Sequence, residues 1–170
     1  ASGSIYLSTG ASTGGGAGQV HVMVGSAASG IGGDASVKAG ASHGATGGSV
    51  FIRSGSSTQT TSGNIVVSSP NAGEEGVSGA LQLHTGTSSS GSSGEILLNS
   101  GDATGGAAGD ISISVGTGDT GDGGSVMLTA GDSTAVSGAG GDILARSGDG
   151  EGRGGDLTLL AGNAGTDTGG

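Results

Sequence analysis

The chain has 170 residues, of which 44 are glycine, 1 is proline and none is cysteine, so a disulfide framework and a thiolate metal site are excluded. The single proline and the lack of a Gly-X-Y period exclude a collagen triple helix. Lysine and arginine total 4 against 14 acidic residues, and the net charge of -10 disfavours nucleic acid and anionic membranes as partners.

The main feature of the sequence is a repeat of about fifteen residues. The eighth position of a repeat is glycine in every case except Pro70, and twenty of the twenty-two third and fifth positions are Ile, Val or Leu. A disordered linker would not sort its aliphatic residues in this way, so the period predicts a repeat architecture. Counted from the glycine before each apolar stretch, the eleven repeats begin at Gly3, Gly18, Gly33, Gly48, Gly63, Gly79, Gly94, Gly109, Gly124, Gly141 and Gly155.

Each repeat begins with a predicted short strand, and residues 109–116 are the clearest example. Ile111 and Ile113 alternate with serine between two glycines, which predicts one apolar and one polar face. A hairpin meander is one way to arrange such strands, but their identical phase favours coils stacked in register. We predict an all-β fold, a parallel β-solenoid (β-helix) of eleven coils with about fifteen residues per coil. It forms a single domain over residues 1–170 within a longer array, with Ile111 and Ile113 buried.

The second half of each repeat is more polar. Its tenth position is always Ser, Ala or Gly, which we interpret as the inward residue of a short opposing strand. The last four or five positions are rich in Gly, Ser and Thr and predict a surface turn. Two repeats are longer than fifteen residues, and their extra residues, near Glu74-Glu75 and Val136-Ser137, fall in this turn.

Units such as Gly-Gly-Asp-Ile-Leu-Ala-Arg-Ser-Gly-Asp-Gly and Gly-Gly-Ser-Val-Met-Leu-Thr-Ala-Gly-Asp-Ser resemble the Gly/Ser-rich arrays of secreted algal (diatom-type) repeat proteins. This resemblance implies a cell-surface, fibre or adhesive component located outside the cell. The predicted architecture is also similar to that of the β-solenoid antifreeze proteins of insects and grasses. That likeness implies ice binding as an alternative, although the Thr-x-Thr array of the insect type is absent from the predicted strand.

The fourth and sixth positions of each repeat point outward from the predicted strand. They hold the only tyrosine, the only phenylalanine, both methionines and three of the four basic residues, and no acidic residue. Contiguous apolar patches mark interfaces. We therefore predict self-association into filaments or bundles, or contact with polysaccharide or cell-wall material, through this face. The predicted association residues are Tyr6, His21, Phe51, Arg53, Val66, Leu97, Met127 and Leu144.

Two further hypotheses concern the rest of the surface. Asp132, Asp149 and Asn163 occupy the same position of successive repeats, and their oxygen atoms suit calcium, although solvated turn residues are the more common explanation. The ice-binding alternative needs a flat, uncharged, repetitive face on the side opposite the predicted strand. The residues expected to form it are Thr87, Ser89, Thr104, Thr117 and Thr134.

Catalysis has little support in this sequence. His21, His43 and His84 occupy different repeat positions, and no Ser/His/Asp or paired-carboxylate spacing is present. We expect no cofactor. The predicted function is a non-enzymatic extracellular structural protein that forms a rod or filament with an adhesive role. Ice binding and a carbohydrate-binding β-helix are the alternatives.

Overall fold

The computed structural model describes residues 2–163, and within that range the backbone forms neither a helix nor a β-strand. The predicted parallel β-solenoid is therefore wrong, and so is the all-β class. The chain divides into two units, Ala1–Leu83 and His84–Gly170. Among the described residues there is no helix of the length and apolarity that crossing a membrane requires.

The fifteen-residue repeat is nevertheless visible as one bend per repeat. We use the name segments for repeat positions 1 to 8, for example 33–40 and 48–55, and the name loops for the residues between segments, for example 41–47. Almost every bend lies at repeat positions 11 to 13, so the predicted turns are confirmed. The bends are at 13–15, 28–30, 43–45, 58–60, 74–75, 89–91, 104–106, 119–122, 135–137 and 151–152.

The loops are closed at their base by glycine. A β-carbon placed on the first glycine of a segment would lie 2.8–4.0 Å from the seventh-position side chain of the preceding segment, at all ten junctions. Ala39 and Gly48 form one such contact. At this junction the Gly48 N–H also donates to the Gly40 carbonyl at 2.9 Å. The same bond closes three other loops, between Gly63 and Gly55, Gly141 and Gly131, and Gly155 and Gly148.

This closure explains why the solenoid prediction is wrong. In a solenoid, the first glycine of a repeat would lie on the first glycine of the next repeat, about fifteen residues away. In the four loops closed by a hydrogen bond, the bonded glycines are seven to ten residues apart, so these loops fold back onto their own bases. Glycine permits this because a backbone without Cβ lets another backbone approach closely. The closure resembles the base of a hairpin, but the pairing does not continue along the segments.

No residue of the described range is buried. Ile111 and Ile113 are 56 % and 72 % exposed, so the prediction that they are buried is wrong. Two aliphatic side chains per repeat need an opposing wall, and the loops do not supply one because they fold back onto themselves. The only partly buried residues in this range are Ala39, Ala130 and Ser147, each at the seventh position of a hydrogen-bonded closure.

The tenth position also differs from its prediction. It is not the inward residue of a second strand, because no strand forms in the described range and four of the five serines at this position form hydrogen bonds within their own bend. The Ser57 hydroxyl accepts hydrogen bonds from the N–H groups of Gln59 and Thr60 at 3.3 and 2.9 Å. Ser42 and Ser133 accept similar bonds from Ala45 and Ala135. Serine hydroxyls commonly stabilise turns in this way.

The two longer loops place their extra residues where the sequence predicted them. Glu74-Glu75 lies in a turn closed by a hydrogen bond from the Gly76 N–H to the Gly73 carbonyl, at 3.3 Å. Val136-Ser137 lies in a turn closed by a hydrogen bond from the Gly138 N–H to the Ala135 carbonyl, at 3.0 Å. Insertions are therefore absorbed within the loop. The loop of Val136-Ser137 keeps the hydrogen-bonded closure between Gly141 and Gly131, whereas the loop of Glu74-Glu75 keeps only the close approach of Gly79 to Ser69.

Candidate association surface

In two segments, side chains two positions apart lie on the same side of the backbone. The Arg53 guanidinium carbon lies 5.9 Å from the centre of the Phe51 ring, and His21 Nε2 lies 2.7 Å from Gln19 Oε1. Contacts between residues two apart are those of an extended chain. Repeat positions 2, 4 and 6 therefore share what we call the even side, and the aliphatic positions 3 and 5 lie on the opposite, odd side.

All eight predicted association residues lie on the even side and are exposed. Tyr6 is 91 % exposed, and Leu97, the most covered of the apolar members, is 73 % exposed. Exposure does not separate the two sides, because all 33 large apolar residues are at least 49 % exposed. Eight of the eleven segments therefore present large apolar side chains on both sides, whereas 33–40, 79–86 and 109–116 present them on the odd side only.

The positive charges of the even side are partly engaged. Arg53 lies over the Phe51 ring, an arrangement that favours a cation through the electron-rich face of the ring. Arg146 forms an ion pair with Asp149 across the end of its segment. Arg153 and Asp156 form a second ion pair, at 2.6 Å, on the other arm of the same loop. Both pairs are exposed, so they contribute at most about 1 kcal/mol each.

The two further hypotheses both depended on the stacking of successive coils. Ser89 and Thr104 lie in the bends of separate loops, and Thr87, Thr117 and Thr134 lie close to bends. The flat face expected for ice binding depended on stacked coils, which this range does not form. The calcium ladder of Asp132, Asp149 and Asn163 depended on the same stacking, and Asp149 is already paired with Arg146.

The described residues enclose no pocket, and they contain no group of three or more His, Asp or Glu side chains placed to hold a metal ion. His21 contacts Gln19 on its own segment. The hydrogen bonds and ion pairs of the described residues join residues no more than ten positions apart.

Sequence reasoning missed two kinds of residue that shape this surface. The seventh position is never larger than valine, and it packs against the first glycine of the next segment. The tenth-position serines hold the bends. The sequence contains a signal for both kinds, because the seventh and tenth positions hold only small or β-branched residues throughout the chain.

Comparison with known protein families, with curated proteins and with solved structures finds no match for this chain. The resemblances to algal repeat proteins and to solenoid antifreeze proteins stay predictions. Function is therefore inferred from the residues of this chain alone.

Proposed function

We propose that this chain is a non-enzymatic structural protein of the extracellular space or cell surface that associates with copies of itself into filaments or bundles. The observation that carries this proposal is that none of its large apolar side chains is buried. All 33 large apolar residues are at least 49 % exposed. Burial of such side chains is the main favourable term in association, at roughly 25 cal/mol per Å².

The accessible surface of the chain supports the same proposal. It is 16952 Å², whereas a compact protein of 15.3 kDa exposes about 7,000 Å². A stable protein–protein interface needs only about 1,200–2,000 Å² in total. The uncovered surface is therefore several times larger than what one interface requires.

The distribution of charge favours association through the segments. Positions 3 to 7 of the eleven segments contain no Asp or Glu, and the 13 acidic residues of the described range lie at segment entrances or in loops. The net charge of -10 makes two copies repel each other at low salt. Salt shortens the Debye length from about 10 Å at 0.1 M to about 3 Å at 1 M. Association is therefore expected to increase with salt, as in seawater.

The proposal is tested by light scattering and sedimentation over a salt series. The triple variant Phe51→Ser, Leu97→Ser, Met127→Ser removes three large side chains from the even side and should assemble less than the parent at every salt concentration. A matched control is Ile31→Ser, Val77→Ser, Val136→Ser, which removes three exposed apolar side chains from loops. The control should assemble like the parent. A parent chain that stays monomeric at all salt concentrations would contradict the proposal.

A further inference from the structure

The backbone of the segments is almost entirely unpaired. The described residues make six backbone–backbone hydrogen bonds, and all six close loops or turns. Folded proteins make about one internal hydrogen bond per residue, about two-thirds of them between backbone groups. The interior of each segment, positions 2 to 7, has no backbone partner within the described range. Each segment therefore offers two free edges of N–H and C=O groups.

The composition of the segments suits pairing at these edges. Positions 3 and 5 are occupied by Ile, Val or Leu with only two exceptions, Ala35 and Ala145. Ile and Val favour the pleated, extended conformation. Short stretches with high β-propensity, low charge and no internal proline are the ones that pair between chains. Exposed extended edges invite such pairing.

The repeat identifies the partner. A molecule that covers the segments must present extended, apolar stretches about every fifteen residues over roughly 160 residues. A second copy of this chain has that spacing because its sequence is the same. Within positions 3 to 7, pairing of like segments also places no carboxylate opposite another, because these positions contain none. Of the three cations at these positions, Arg53 lies over Phe51 and Arg146 is paired with Asp149.

We propose that the segments form β-sheet with segments of a second copy, so that the sheet of this protein exists only between chains. This inference rests on the self-association proposed above and adds the bonding that holds the copies together. The closed loops prepare the chain for it, because they fix the start of each segment at a glycine while leaving the segment itself free. The isolated chain then has no sheet, and sheet appears as copies assemble.

The test measures sheet and assembly together on the full chain. Infrared amide I spectra and the pelletable fraction are recorded over a concentration series at high salt. The sheet signal should be absent in the dilute chain and rise in proportion to the pelletable fraction. A sheet signal that is independent of concentration would overturn the proposal. Assembly without a sheet signal would also overturn it but leave the proposed function intact, and absence of assembly would contradict both.

A variant pair separates backbone pairing from side-chain contact. Ser36→Pro with Ser112→Pro removes two segment N–H donors that have no partner in the isolated chain. It should raise the soluble concentration at least about fivefold. Ser36→Thr with Ser112→Thr keeps the donors and should behave like the parent. Val136→Pro, at the second residue of a turn that favours proline, should also be harmless. Equal assembly of the proline and threonine variants would overturn the proposal.

Discussion

At Gly150 the backbone of the shortest loop, 149–154, passes so close to itself that no side chain fits. A β-carbon there would lie 2.3 Å from the carbonyl oxygen of Arg153 and 3.2 Å from its carbon. Because the obstacle is backbone, it cannot rotate away as a side chain would. Gly152, in the same loop, has no atom within 4 Å of a β-carbon and no positive φ.

Gly150→Ala is therefore expected to open this loop, whereas Gly152→Ala is not. Overpacking of this kind costs about 1–3 kcal/mol. The N–H of Gly155, which donates to the Gly148 carbonyl at 2.9 Å, should lose at least about fivefold of its protection from hydrogen exchange. Amide exchange followed by NMR gives the measurement. Equal protection of Gly155 in the two variants would show that the close approach at Gly150 is not what shapes the loop.

Individual residues also show where sequence reasoning stops. Alternation in 109–116 predicted which side of the segment is apolar, and contacts between residues two apart, such as Arg53 with Phe51, are consistent with such alternation. Alternation does not say what covers the apolar side. Ile111 and Ile113 were expected to be buried within the chain, and they are exposed because no second wall exists.

At the scale of the element, the loop from 56 to 62 is held by one hydroxyl. Ser57 Oγ accepts from the N–H groups of Gln59 and Thr60 and lies 3.0 Å from Thr60 Oγ1. The loop is closed at its base by the hydrogen bond from the Gly63 N–H to the Gly55 carbonyl. The bend and the base thus depend on separate sets of hydrogen bonds.

Ser57→Ala is expected to weaken the bend without breaking the base. A hydrogen bond of this kind contributes about 1 kcal/mol net, which corresponds to about a fivefold loss of protection at the Thr60 N–H. The Gly63 N–H should change less. Ser56→Ala is the control, because the Ser56 hydroxyl has no hydrogen-bond partner within residues 2–163. If Ser56→Ala exposes Thr60 to the same extent, the hydroxyl of Ser57 is not what holds the bend.

The position of the loops was predictable and their closure was not. Gly, Ser and Thr at the end of each repeat predict the bends, because these residues suit turns locally. The bends at 74–75 and 136–137, which lie in the two longer loops, are among those predicted. Which glycine meets which depends on the path of the backbone through the loop. A fifteen-residue repeat is compatible with stacking of glycines fifteen residues apart and with closure of a loop between glycines seven to ten residues apart. The structure has the closed loops.

At the scale of the whole molecule, the flat ice-binding face depended on stacked coils, which residues 2–163 do not form. Ser89 and Thr104 lie in the bends of separate loops, and Asp102 and Asp119 interrupt the hydroxyl-bearing positions. We expect the purified chain to show no thermal hysteresis and no faceting of ice crystals, measured at several concentrations. A clear hysteresis gap that is abolished by a bulky residue at Thr104 or Thr134 would instead support the ice-binding alternative.

The local closure of the loops has a consequence for how the chain is made. The bonded glycines are only seven to ten residues apart, and loops of this length close within about 10–100 ns. A ribosome adds about 5–20 residues per second, so each such loop can close as soon as its second glycine has left the ribosome and before the next repeat has emerged. Closure of these loops therefore does not depend on residues that have yet to be synthesised. Whole repeats can therefore be gained or lost from the gene without leaving the remaining ones unable to fold.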